Sequence, residues 1–253
     1  MDHESSPRPL IGIPARFSVH ASALRHAAEV SSRSLIELVF AAGGEPVMLH
    51  PHAPDAEINV PAIAERLGWL DAFLLPGGGD LSGRWSNQGD HPSLYDVDEE
   101  QDAFDLSVAQ YALDNGVPLM SVCRGTQVVN VLLGGTLVQD MDSHSEALNH
   151  HRHHVHRIET DPGSRLGDVL GPVVEVSCYH HQCIYTLGKG LVVTARAEEG
   201  VIEGVELPDA PGYYVGVQWH PEDTWDGDPL QLELMKSFIS AARAARSKTA
   251  ENV

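Results

Sequence analysis

Cysteine is scarce: Cys123, Cys178 and Cys183 are the only three in 253 residues. An odd number at uneven spacing makes no disulfide framework and points to a reducing compartment. Basic residues are few as well. Sixteen Lys and Arg stand against 36 Asp and Glu, a formal charge of -20. The chain therefore lacks the cationic surface that a phosphate backbone or an anionic membrane requires, and neither nucleic acid nor membrane is an expected partner. No apolar run approaches the ~18 residues that can cross a bilayer. The opening MDHESSPRP is polar and acidic, with no apolar segment behind a basic one, unlike a secretory leader. The expected location is the cytoplasm. No linker or internal repeat interrupts the sequence. With 42% hydrophobic and 21% charged residues, a chain of this length can bury a core without disulfide staples.

What is present is an alternation of short apolar runs with helical patterns. PLIGIPA (9–15) reads as a buried strand. A helix is expected over 26–42, with Val30, Leu35, Leu38 and Val39 at helical spacing and Gly43 and Gly44 beyond it. EPVMLHP is a strand, INVPAIAERLGWL a short helix, and DAFLLPGGGD a strand entering a glycine-rich turn. Residues 81–101 form a long loop without periodicity. DEEQDAFDLSVAQYALDNG is a helix with an acidic first turn, VPLMSV a strand and GTQVVNVLLGG a helix. Strands and turns dominate thereafter, until an amphipathic helix over 229–246. The alternation predicts an α/β fold, a three-layer sandwich with a central mostly parallel sheet flanked by helices. One domain over 9–246 is expected, with tails at 1–8 and 247–253.

Cys123 lies where the strand VPLMSV gives way to a helix beginning near Gly125. Such a turn resembles a nucleophile elbow, which holds a side chain out at the carboxyl edge of the sheet. The helix N-terminus offers unpaired N–H groups and partial positive charge, both of which favour a thiolate. The alternative for a lone cysteine is a buried packing residue. A nucleophile needs a base and an orienting group. In VGVQWHPED, residues i and i+2 of an extended segment point the same way, so His220 and Glu222 can face together.

Together, LLPGGGDL, DAFDLSVAQYAL, VCRGTQVVNVLLGGTLVQD, HHQ and GVQWHPE resemble class I glutamine amidotransferase-like proteins, whose core is flavodoxin-like. Within that group the closest resemblance is to the gamma-glutamyl-gamma-aminobutyrate hydrolase family, of peptidase C26 type. The motifs occur in family order over residues 10–240. The resemblance implies that Cys123 attacks a gamma-glutamyl carbonyl, that His220 is base and then acid, and that Glu222 orients His220. It implies an oxyanion hole of backbone N–H groups from Arg124 and from Gly77 or Gly78. Gln127, His180, His181 and Gln182 would line the glutamyl pocket. A glutamyl thioester would then be hydrolysed, releasing glutamate and the amine, as in polyamine breakdown. The implied partner is a small-molecule gamma-glutamyl amide; a homodimer is compatible with it, and no cofactor is implied. The rival is the glutaminase subunit of an amidotransferase, delivering ammonia to a separate synthetase. A non-catalytic binding protein on the same fold is disfavoured by the intact Cys123, His220 and Glu222. SCYHHQC departs from the family's NSxHHQ at Ser177 and Cys178, so no role carries over to those two.

Two stretches are left over. HHRHHVH (150–156) invites a metal reading, but the cysteines are distant in sequence and no finger or HExxH spacing is present. A solvated loop or pocket rim is expected there, with no metal. Residues 90–105 hold Asp90, Asp96, Asp98, Glu99, Glu100, Asp102 and Asp105. Helix N-terminal charge on a solvated face is the default, and an entrance that attracts an ammonium group the functional alternative.

Overall fold

The computed structural model describes residues 7–22, 24–144 and 151–251. Its strands are β1 (Leu10–Pro14), β2 (Arg16–Ser18), β3 (Ala28–Val30), β4 (Glu45–Leu49), β5 (Ala72–Leu75), β6 (Leu119–Val122), β7 (Thr136–Val138), β8 (Arg152–Thr160), β9 (Val173–Tyr179), β10 (Cys183–Thr186), β11 (Val192–Ala197), β12 (Ile202–Glu206) and β13 (Tyr214–Val217). Its helices are α1 (Arg33–Ala41), α2 (Val60–Leu67), α3 (Glu99–Asn115), α4 (Arg124–Leu132), α5 (Met141–His144), α6 (Arg165–Leu170) and α7 (Pro229–Glu251). Nine strands form one sheet in the order β4-β1-β5-β6-β13-β12-β11-β8-β9. From β4 to β13 the pairings are parallel. From β13 to β9 they are antiparallel.

The three layers follow from period-two alternation in the central strands. In β5, Phe73 and Leu75 join the core with Ile63 of α2, Phe104 of α3 and Val128 of α4. Ala72 and Leu74 join the opposite core, with Leu38 of α1, Leu166 of α6 and Phe238 of α7. Strands covered on both faces must be buried throughout, as β5, β6 and β13 are. α7 buries Leu234, Met235, Phe238, Ile239 and Ala242, one helical stripe.

The helix expected over 26–42 is shorter. Ala28–Val30 instead pairs antiparallel with Arg16–Ser18 as a separate ribbon. Ser32 caps α1 by accepting from Leu35 N–H, which fixes the helix start after Val30. Val30 is thus exposed rather than part of the helix's apolar face. α6 was not anticipated in the sequence; Ser164 caps it through Gly167 N–H at 2.9 Å. α7 runs to Glu251, past the expected end at 246.

Candidate active site

β5, β6 and β13 are adjacent and parallel, so the residues that follow them meet at one carboxyl edge. Pro76 and Gly77 follow β5, Cys123 follows β6, and His220 lies three residues beyond β13. Open α/β sheets bind their ligands at this edge.

Cys123 has φ 51° and ψ -111°, a backbone that L-residues rarely adopt. The turn is enforced on both sides. Cys123 N–H donates to Val217 O at 2.8 Å, and Thr126 N–H returns to Cys123 O at 3.0 Å. A Cβ on Gly125 would sit 2.4 Å from Leu75 O, so only glycine lets α4 start this close to β5. The first N–H groups of α4 have no intrahelical acceptor, and Arg124 N–H is among them.

His220 Nδ1 lies 2.8 Å from Glu222 Oε1. Pro221 starts a short 3-10 turn, Pro221–Asp223, which brings Glu222 back under the ring. A Cβ at Gly77 would meet both His220 Cε1, at 2.9 Å, and Cys123 Cβ, at 3.7 Å, so imidazole and thiol flank the same glycine. Burial alone would push His220 down. Cys123 and then Glu222 outweigh it and hold the imidazolium well above its usual range. His220 Nε2 makes no hydrogen bond of ordinary geometry in the resting site, as is common before substrate binds.

The glycine-rich turn is held from behind. Arg16 Nε donates to Gly77 O at 2.7 Å and its Nη2 to Pro76 O at 2.6 Å. In a trans peptide the N–H points opposite to the C=O. The N–H groups of Gly77 and Gly78 therefore face away from Arg16. Arg16 Nη1 reaches Asp105 Oδ2 at 2.7 Å, and Arg124 also donates to Asp105 and to Asp102. Burial lowers Arg16 to about 10 against the pull of Asp105, which leaves it charged at neutral pH.

Cys123 shares a small cleft with Gly78, Gln127, His181 and Gln182. Gln127 Nε2 donates to Gln182 O at 3.1 Å. His181 is clamped between Asp80 (2.9 Å) and Asp140 (3.2 Å) and lies against Tyr95, ring centroids 5.3 Å apart. Burial disfavours its charge, but the hydrogen bond and charge of Asp80, then Asp140, raise it. His180 also borders the cleft, but its ring is turned inward, Nδ1 to Gln182 O at 3.0 Å and Nε2 toward Glu203. On the other side of His220 opens a cavity of about 340 Å³, bordered by Ser31, Ser32, Gly77, Tyr179, Glu222 and Asp223.

Two expectations need correction. The acidic stretch is not simply a solvated face. Asp102 and Asp105 are fully buried counter-ions of Arg124 and Arg16, Asp90 accepts from Gly83 N–H, and Asp98 caps α3. Asp96, Asp98 and Glu100 do border a cleft beside Gly79, together with Glu29. The histidine-rich stretch is only in part a solvated rim: Arg152, His154 and Val155 are exposed on strand β8. His151 is buried against Glu199 and Glu203, and His156 turns toward Cys178. His150 and the side chain of His153 lie outside the described residues. Sequence reasoning missed Arg16, Asp140, Tyr95 and Glu203. Asp80 stood inside the quoted PGGGD, but nothing local tied it to His181.

A three-layer sandwich with a cysteine at a strained strand–helix turn and a neighbouring His–Glu pair defines a hydrolase or amidotransferase-like enzyme of the class I glutamine amidotransferase fold. The Peptidase C26 model matches residues 9–222, and the chain belongs to that family. The Mycobacterium tuberculosis protein named "Putative glutamine amidotransferase Rv2859c" is 35% identical over 96% of this chain and 79% of its own length. Gamma-glutamyl-gamma-aminobutyrate hydrolase PuuD of Escherichia coli is 28% identical over 86% of this chain and 88% of its own. The glutaminase domain of Trypanosoma brucei CTPS with bound acivicin shares the fold, with TM-score 0.62 at 15% identity over 93% and 94% of the two chains. No described helix is long and apolar enough to cross a membrane.

Proposed function

We propose that this chain hydrolyses gamma-glutamyl amides, releasing glutamate and an amine, and that its substrates are gamma-glutamyl-aminobutyrate or gamma-glutamyl-polyamines of polyamine breakdown. The observation that carries the reading is Cys123 on its positive-φ turn beside the His220–Glu222 pair. The Cys123 thiolate attacks the gamma-carbonyl carbon, and the oxyanion is met by backbone N–H groups of Arg124 and of Gly77 or Gly78. Collapse expels the amine, which takes its proton from His220. Water, giving a proton to His220, then opens the thioester and restores the thiol. Asp80, held by His181, borders the acyl cleft, and its carboxylate suits the alpha-ammonium of a glutamyl group. The working unit is a single domain from residue 9 through α7, in the cytoplasm, alone or as a homodimer.

Incubation with gamma-glutamyl-aminobutyrate, gamma-glutamyl-putrescine and glutamine, with glutamate release measured, tests the reading. Cleavage of the first two supports it. The names of several relatives favour a second reading, a glutaminase subunit. Ammonia release from glutamine that rises only with an added synthetase would select that one.

The cleft bordered by Asp96, Asp98, Glu100 and Glu29 favours a cationic leaving amine. The kcat/KM for gamma-glutamyl-putrescine is expected to exceed that for an uncharged butyl analogue, and the gap to shrink at high salt. Equal values at both salts would remove the cleft from substrate selection.

Glu222→Gln removes a charge that holds His220 up, so the imidazolium loses its proton at lower pH. The alkaline limb of kcat/KM follows that proton and moves down, with a fall in rate on the order of 10²-fold or more. An alkaline limb that stays in place would show that Glu222 does not hold the His220 proton.

A further inference from the structure

Beside the catalytic cleft, which His180 borders, the antiparallel half of the sheet gathers four buried donors from distant parts of the chain. His151 precedes β8, Cys178 lies on β9, His180 in the turn after it, and Glu203 on β12. One donor atom of each lies within 4.8 Å of all the others. We propose that these four residues form a closed, four-coordinate site for a thiolate-binding divalent cation, zinc by preference.

The spacing fits. Ligands ~2.0–2.3 Å from a tetrahedral ion stand roughly 3.3–3.8 Å apart. Here His151 Nδ1 is 3.1 Å and His180 Nε2 is 3.5 Å from Glu203 Oε1. Cys178 Sγ is 3.6 Å from Glu203 Oε2.

The proton inventory points the same way. His180 Nδ1 faces Gln182 O, which can only accept, so this nitrogen carries a hydrogen. His151 Nε2 faces a carboxylate oxygen of Glu199 at 2.5 Å and donates to it. In the neutral rings the remaining nitrogens are bare lone pairs, and both are aimed at the Glu203 carboxylate. His151 Nδ1, His180 Nε2 and Glu203 Oε1 are indeed buried without a hydrogen-bond partner. The gap is filled either by added protons, which make imidazolium–carboxylate pairs with Glu203, or by one cation. Histidines that bind metal typically give their outer N–H to a carboxylate or a backbone carbonyl, and these two do both. His156 Nε2 lies 3.0 Å from Cys178 Sγ and, in its Nε2–H tautomer, donates to the sulfur. A divalent ion with Glu203 and the Cys178 thiolate sums to zero charge, which suits a site closed to water. The Cys178 proton leaves to solvent as the ion enters. Zinc accepts this mixed sulfur, nitrogen and oxygen set. The ion would lock the turn whose His181 and Gln182 border the acyl cleft.

The test uses full-length Cys123→Ala protein, so that the catalytic thiol cannot bind the probe, stripped with chelator and titrated with Co²⁺. One equivalent is expected to bind with thiolate-to-cobalt charge-transfer absorption, and zinc to displace it. The absorption should vanish in Cys123→Ala/Cys178→Ser and persist in Cys123→Ala/Cys183→Ser. Absorption that survives the Cys178 change overturns the site. A readout on the Cys123→Ala protein alone covers a Cys178 variant that fails to fold. One equivalent of zinc should stay bound through gel filtration and raise the thermal midpoint by several degrees. Substoichiometric zinc with an unmoved midpoint overturns the proposal and leaves two imidazolium protons in the ion's place.

Discussion

Replacing Cys123 by glycine is expected to abolish glutamate release and leave the fold as stable as before, or more so. The two effects have separate causes. Loss of the thiol removes the only nucleophile proposed for the acyl transfer, which lowers kcat by on the order of 10³-fold or more. The backbone at residue 123, with φ 51° and ψ -111°, costs a side-chain-bearing residue about 1–3 kcal/mol. Glycine removes that cost and gives back about 0.5–1 kcal/mol through its freer unfolded chain. Alanine removes the thiol and keeps the strain. Both variants should therefore be inactive, with Cys123→Gly melting above Cys123→Ala. A glycine variant that melts below the alanine one would show that the turn is relaxed and that the neighbours, not the elbow, set this conformation. Activity retained in either variant would end the case for Cys123 as nucleophile.

The contrast between what was readable in sequence and what was not has a physical origin. The Cys123 turn was legible because its parts are consecutive: apolar strand, cysteine, glycine, apolar helix. The His220–Glu222 pair was legible because residues two apart in an extended segment share a face. The placement of Gly77 beside them follows from parallel pairing of neighbouring strands, which an α/β alternation implies. The helix start at 33 was missed because Val30 fits helical spacing equally well, and only the pairing of Ala28–Val30 with Arg16–Ser18 excludes it. Asp102 and Asp105 looked like surface charge because α3 carries an acidic first turn. Their burial depends on Arg124 and Arg16, which arrive from two other strand ends. The cluster around Glu203 was hidden for the same reason. Its histidines and cysteine come together only through the β8–β9 register, in which His154 stands opposite Cys178 and Arg152 opposite Tyr179. Long-range pairing between polar residues leaves no periodic trace.

The same buried charges give the largest expected stability effect. Arg16, Arg124, Asp102 and Asp105 sum to zero, and Asp105 accepts from both guanidinium groups. Asp105→Asn leaves two buried guanidinium ions facing one carboxylate. An unpaired buried charge of this kind costs about 3–5 kcal/mol, measured by chemical denaturation. Arg16→Met should cost less. It removes a cation whose partner keeps Arg124, though it frees the Pro76 and Gly77 carbonyls that Arg16 binds. Its signature is kinetic: a drop in kcat of roughly tenfold from loosened oxyanion donors. The double variant restores one cation to one carboxylate, so Asp105→Asn/Arg16→Met should be more stable than Asp105→Asn alone. The coupling between the two positions should reach ~1–3 kcal/mol in that direction. Additive losses would mean that solvent reaches the cluster and that each charge is screened separately. A coupled result with low kcat would assign the ion network two duties, since the guanidinium that balances Asp105 also sets the direction of the peptide groups beside Cys123.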